Sequence, residues 1–269
     1  MKRLISMLSL VVLWPLAASW AQAPVLQYPP PNEAGAAMGH LHLNTGDVEA
    51  NKKFWTALGG TPMKVGQFEV SQIPGVYVYL HLAAGAQPSS GGMVGTVVNH
   101  IGFRVQNTEQ AVARWKAAGL KLGPGRIPGQ AYVYSPDDMR IEILEDKSLT
   151  VPMAMHHIHF YVAEAAIPEI QAWYAKMFGA KPGMRGQNQA ADLPGVNLTF
   201  SKSDTPTVGT KGRLLDHIGF EVKNLEAYCK KLEAGGMKFD RPYSKNPQTG
   251  VGIAFFTDPW GTYIELNEH

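Results

Sequence analysis

"VVNHIGFRV" at residues 97–105 and "LLDHIGFEV" at residues 214–222 are nearly the same strand written twice. Apolar residues alternate in both, which is the period of a strand with one buried face. Such a strand needs its alternation, but it does not need a histidine at a fixed place. Two more strand-like stretches, "GHLHLNT" from Gly39 and "HHIHFYV" from His156, also set a histidine ahead of Leu or Ile. His40, His100, His157 and His217 therefore open four similar segments.

A helix signal follows each of them. Asp47 is a good N-cap for "DVEANKKFWTALGG" and Gly59 a good stop. Asn107 caps "NTEQAVARWKAAG", Pro168 sits in the first turn of "IPEIQAWYAKMFGA", and Asn224 caps "NLEAYCKKLEAGG". Short β-like runs close each unit: "GVYVYLHL", "AYVYSPDDMRIEIL", "GVNLTFSK" and "IAFFTDPWGTYIEL". His40 and His157 are 117 residues apart, and so are His100 and His217. "IPGV" at 73–76 and "LPGV" at 193–196 mark the same late strand in units one and three. The pattern predicts an α+β fold of four βαβββ units in two paired halves, 39–150 and 151–269, whose mixed sheets curl around a cleft.

The ends read differently. Lys2 and Arg3, the apolar run Leu4 to Ala18 and the small residues after it make 1–21 a secretory signal peptide, with cleavage after Ala21 or Ala23. Pro15 interrupts the run, which is short for a membrane span. The expected location is periplasmic or secreted, with no stable membrane insertion after processing. Residues 22–38, with three prolines in a row, predict an extended, solvated linker, with order beginning near Gly39. Loss of Lys2 and Arg3 brings the formal charge from +2 to zero, which argues against nucleic acid as a partner. Hydrophobic residues at 45% and charged residues at 17% suit a soluble globular chain. Cys229, the one cysteine, excludes an intrachain disulfide and reads as a small core residue in a helix.

Units two and four end with a glutamate inside an apolar strand, Glu142 in "RIEIL" and Glu265 in "YIELN". A carboxylate buried in a sheet is costly unless it is paired or bound to a metal. Two histidines and a carboxylate are a donor set for a divalent metal that leaves other positions open; Fe, Mn, Ni, Zn or Co would suit. Grouped by halves, the expected sets are His40, His100 and Glu142, and His157, His217 and Glu265. The glutamates are also the candidate catalytic proton carriers, if they detach during turnover. His42 and His159 share a face with these histidines and could be supporting groups or alternative ligands. His81 is a further candidate whose counterpart is Ser201. His156 points to the opposite face and is given no role. Arg126, Arg241 and Lys245, on Gly/Pro-rich loops, could meet an anionic substrate. Trp115, Trp173 and Tyr174 read as helix packing.

These residues make the chain resemble the vicinal oxygen chelate superfamily, which includes glyoxalase I, bleomycin-resistance proteins, fosfomycin-resistance enzymes and type I extradiol dioxygenases. "DPWGTYIE" at 258–265 is similar to that family's Asp-Pro-x-Gly-x-x-x-Glu ending, and "SPDDMRIE" at 135–142 has Ser135 and Asp138 in place of Asp and Gly. The resemblance covers residues 39–269. It implies a glyoxalase-like fold with a divalent metal that chelates neighbouring oxygens of a small-molecule substrate, and lyase, isomerase or dioxygenase chemistry. It also allows units to pair across halves, as in a set of His40, His217 and Glu265, and leaves a homodimer open. One alternative is an Fe(II) extradiol ring-cleaving dioxygenase. Tyr132 stands at that branch's catalytic tyrosine position, whereas the second half has Phe255 and both halves lack the upstream histidine. The other alternative is a metal-free small-molecule binder of the bleomycin-resistance kind.

Overall fold

The computed structural model describes residues 26–82 and 92–269. The expected signal peptide and residues 22–25 lie outside the described residues.

Unit one contains β1 (Ala36–Thr45), α1 (Val48–Leu58), β2 (Thr61–Val65), β3 (Phe68–Ile73) and β4 (Val76–Leu82). Unit two contains β5 (Val98–Val105), α2 (Thr108–Ala117), β6 (Lys121–Pro124), β7 (Gln130–Tyr134) and β8 (Arg140–Glu145). Unit three contains β9 (Met153–Val162), α3 (Ile167–Phe178), β10 (Lys181–Arg185), β11 (Asn188–Leu193) and β12 (Val196–Lys202). Unit four contains β13 (Leu215–Val222), α4 (Leu225–Ala234), β14 (Arg241–Lys245), β15 (Gly252–Thr257) and β16 (Tyr263–Glu268). The four βαβββ units and the α+β class are as the repeats predict.

The pairing of units differs from the leading expectation. One eight-stranded sheet runs β14-β15-β16-β13-β1-β4-β3-β2 and joins unit one to unit four. The other runs β10-β11-β12-β9-β5-β8-β7-β6 and joins unit two to unit three. At each seam the two histidine-bearing strands pair antiparallel, β1 with β13 and β5 with β9. Each half thus gives one unit to each sheet, and the repeat boundary near residue 150 does not separate the sheets. The helices, by contrast, touch within halves: Trp115 Nε1 donates to Leu58 O at 2.9 Å, and the Tyr228 hydroxyl donates to Met177 O. The two Pro-Gly-Val turns lock the halves reciprocally, since Pro194 O accepts from Met38 N and Pro74 O from Met155 N.

The core lies between the sheets and their helices. Trp55, Trp115, Phe103, Phe160, Phe178 and Phe220 are fully buried in it. Truncating one of these rings to alanine would cost about 3–5 kcal/mol. Tyr174 is buried with its hydroxyl on Asp258, and Cys229 is a buried free thiol, so the packing roles read from the sequence hold.

Two local expectations are corrected. The stretch taken as a solvated linker is docked where it is described. Leu26 and Tyr28 pack on Val70, Tyr77 and Tyr79, and the Asn32 amide donates to the carbonyls that end α3. Strand β1 starts at Ala36, ahead of Gly39. Asn224 does not cap α4 with its side chain. It takes a left-handed φ of 56°, and the Glu268 carboxylate accepts from the backbone N–H groups of Asn224 and Leu225. Asp47 and Asn107 do cap α1 and α2.

Candidate metal centres

The seams bring the predicted residues together in two cups. In cup one, Glu265 Oε2 lies 3.1 Å from His40 Nε2 and 2.8 Å from His217 Nε2. In cup two, Glu142 Oε2 lies 3.1 Å from His100 Nε2 and 3.0 Å from His157 Nε2. The grouping by halves is therefore overturned. His40 meets His217 and Glu265, and His100 meets His157 and Glu142, because the strands that carry them pair across halves.

Register explains the convergence. Gly219 stands opposite both His40 and Glu265, and Gly102 opposite both His157 and Glu142. A Cβ at Gly102 would come within 2.0 Å of the His157 ring, and one at Gly219 within 2.1 Å of the His40 ring. The glycine of each His-Ile-Gly-Phe string is thus the space into which the partner strand's imidazole fits. The sequence showed this glycine twice, but its reason becomes visible only with the cross-half pairing.

A second device precedes each histidine. The seam register slips at Gly39, Asn99, His156 and Asp216, the residues immediately before the four histidines. A β-bulge re-aims its side chain, so this residue can reach the following ring instead of the opposite face. His217 Nδ1 lies 2.6 Å from Asp216 Oδ1, His100 Nδ1 2.9 Å from Asn99 Oδ1, and His157 Nδ1 2.8 Å from His156 Nδ1. His156 therefore has a partner in the site, contrary to the strand-alternation reading. Gly39 offers His40 nothing comparable.

These contacts define the donor chemistry. Asp216 can only accept, so His217 Nδ1 carries a proton. Its Nε2 then faces a carboxylate oxygen, and only a proton or a metal cation between them makes that contact favourable. The Nε2 atoms of His157 and His217 are buried and make no aligned hydrogen bond despite their closeness to the glutamates. Two donors bound at about 2.1 Å and at right angles would sit about 3 Å apart. The residues present therefore fit a shared divalent ion. The other carboxylate oxygen is tethered in each cup, Glu265 Oε1 by the Asn267 amide at 2.9 Å and Glu142 Oε1 by the Gln130 amide.

The charge states agree. Burial works against ionised Glu142 and Glu265, yet the flanking imidazoles outweigh it and hold both well below the usual carboxylate range. Burial lowers His100, and it lowers His157 to about 3, favouring the neutral ring that ligates. Burial also disfavours charge on His217, but Asp216 and Glu265 raise it overall.

His42 and His159 do face the cups. The ring nitrogens of His40, His42 and His217 lie within 4.8 Å of one another, as do donor atoms of His100, Glu142, His157 and His159. His159 Nε2 also lies 2.7 Å from Ser201 Oγ. His81 is exposed and sits beside Asn44 rather than in the donor group. Tyr132 pairs with Glu142 across β7 and β8 and lines cup two, and burial raises its phenol. Arg126 lines cup two and Arg241 lines cup one, whereas Lys245 lines neither. Arg140 and Arg185, which the sequence reading passed over, line cup two. The turns before the glutamates match despite their different residues: Gly261 has φ 99° and Asp138 takes φ 59° in the corresponding place.

Comparison with known proteins bears on both repeats. The profile of the Glyoxalase/Bleomycin resistance protein/Dioxygenase superfamily matches residues 37–143 and again 154–266. A lactoylglutathione lyase of Schizosaccharomyces pombe is 24% identical over 203 residues, covering 63% of this chain and 66% of that protein, just under two thirds of its length. The structure of glyoxalase I from Zea mays superposes with a TM-score of 0.68 at 18% identity, over 87% of this chain and 92% of that one. A Bacillus subtilis protein provisionally assigned as a dioxygenase superposes with a TM-score of 0.65 at 14% identity, over 90% and 86%. At these identities the two solved structures speak for the fold.

Proposed function

This chain belongs to the Glyoxalase/Bleomycin resistance protein/Dioxygenase superfamily, and on that premise we propose that it is an exported, metal-dependent enzyme of the lyase/isomerase kind. Its substrate would be a small molecule with two adjacent oxygens. The observation that carries this reading is the same in both cups: one glutamate oxygen within 3.1 Å of two histidine Nε2 atoms from different strands. His40, His217 and Glu265 would hold one divalent ion, and His100, His157 and Glu142 another. When bound, such an ion supplies a Lewis acid that stabilises negative charge developing on the substrate oxygens.

The chain's own residues would do the rest. Asp216, Asn99 and His156 fix the imidazole rings. Gln130 and Asn267 hold one oxygen of each glutamate, which leaves Oε2 facing the site. Glu142 and Glu265, ionised at neutral pH, could, if they detach during turnover, take a proton from the substrate carbon beside the oxygens and return it to the neighbouring carbon. Export rests on Lys2, Arg3 and the apolar run that follows. No described helix is long and apolar enough to cross a membrane.

Elemental analysis of the purified mature protein tests the metal reading. The expected content approaches two divalent ions per chain, falling to about one in His217→Ala and in His157→Ala. A protein that takes up none of Mn, Fe, Ni, Zn or Co overturns it. Deuterium uptake from D2O at carbon, followed by NMR across a panel of 2-oxoaldehydes and 2-hydroxy ketones, then tests the proton transfer.

A further inference from the structure

The walls of the two cups differ at matching register positions. Cup two places Gln130 and Tyr132 on β7 where cup one places Ile253 and Phe255 on β15. It places Arg140 opposite Tyr134, whereas cup one has Tyr263 opposite Thr257. It has Arg185 paired with Asn188 across β10 and β11 where cup one has Val65 paired with Phe68 across β2 and β3. Five apolar or aromatic positions of one cup are thus polar, cationic or hydroxylated in the other. The cavities are of similar size, about 450 Å³ in cup two and about 510 Å³ in cup one.

Charge follows the same division. Cup two is lined by three guanidinium groups, Arg126, Arg140 and Arg185, against the single carboxylate of Glu142. That carboxylate is already engaged by His100, His157 and Gln130. Among the described residues, Arg126 and Arg140 have no carboxylate partner, and the nearest one to Arg185 is Glu142 at 3.8 Å. Arg140 Nε is buried and unbonded, while one of its Nη atoms donates to Asn99 Oδ1 and lies 3.2 Å from His100 Nδ1. Arg185 is held in place by Thr199, which accepts from its Nε at 2.8 Å, and one of its Nη atoms remains beside His159. Cup one is lined by one guanidinium, Arg241, and one acidic side chain, Glu265.

We propose that cup two binds a small oxyanion, a carboxylate flanked by a hydroxyl or keto oxygen, with Arg140, Arg185 and Arg126 receiving the charge. Bidentate guanidinium–carboxylate contacts suit donors on two sides of a polar cavity. The proposal deepens the metal reading, which places the flanking oxygen toward Glu142, His100 and His157. Cup one, with its aromatic wall, would not take the same ligand.

The test is calorimetric titration with oxalate, the smallest anion of this kind, on metal-free and on Mn²⁺-loaded protein. Binding to the wild type is expected. The dissociation constant should rise at least about tenfold in Arg140→Gln and in Arg185→Val, the residue cup one carries. A smaller rise, about threefold, is expected in Arg126→Gln, whose exposed loop position leaves folding untouched. Arg114→Gln, on the exposed face of α2, should leave binding unchanged. Absence of oxalate binding in both forms of the wild type overturns the proposal, and so does equal binding in Arg126→Gln, Arg140→Gln and Arg114→Gln. If the protein takes up no Mn²⁺, the metal reading fails by itself, and arginine-dependent binding to the metal-free protein still supports the oxyanion site.

Discussion

Cup one steadies His217 with a charged neighbour, Asp216, and leaves His40 next to a glycine. Cup two steadies His100 with the neutral Asn99 and His157 with a second imidazole. The donors are the same: two histidines on seam strands and one glutamate on the parallel neighbour. What has diverged is the bulge residue behind each ring and the wall in front of it. The scaffold therefore fixes which atoms converge, while separate positions would set how strongly an ion is held and what can lie beside it.

The strongest way to break this comparison is to remove a shared donor. Glu265→Ala and Glu142→Ala should each delete one ion and one cup's turnover while the other cup stays loaded, as read by elemental analysis. Next come the glycines. Gly219→Ala and Gly102→Ala push a Cβ into His40 and His157 respectively, so each should empty its own cup and cost about 1–3 kcal/mol of stability in a thermal melt. The bulge residues sharpen the comparison. Asp216→Asn should weaken ion binding in cup one about 10- to 100-fold, and Asn99→Asp should strengthen it in cup two, both measured by competition with a chelator. The smallest effect concerns the helix starts. Glu268→Ala should lower stability by about 1 kcal/mol, because α4 has no side-chain cap of its own. Glu145→Ala should cost less, since Asn107 already caps α2.

Much of this was legible in the chain itself. The fixed spacing of His40 to His157 and of His100 to His217 exposed the repeat, and two glutamates in apolar strands pointed to a buried cation. Asp47, Asn107 and Pro168 marked their helices correctly. The pairing of units was not legible, because a repeat of constant length is compatible with both groupings. Antiparallel seams between β1 and β13 and between β5 and β9 decide it, and they join strands far apart in sequence. The role of His156 was hidden for a different reason: strict alternation sends it to the other face, and one bulge reverses that. Glu268 escaped because it caps a helix from a distant strand.

The crossing of the halves has a further consequence. An ion in cup one would tie the first half, through His40, to the second, through His217 and Glu265. An ion in cup two would tie His100 and Glu142 to His157, across the same divide. Each ion would then be a removable cross-link between the two repeats, so that occupancy and cohesion of the whole chain are one linked equilibrium. Stripping the ions would loosen the seams of both sheets at once, with the halves still joined by their Pro-Gly-Val turns and by residues 147–153.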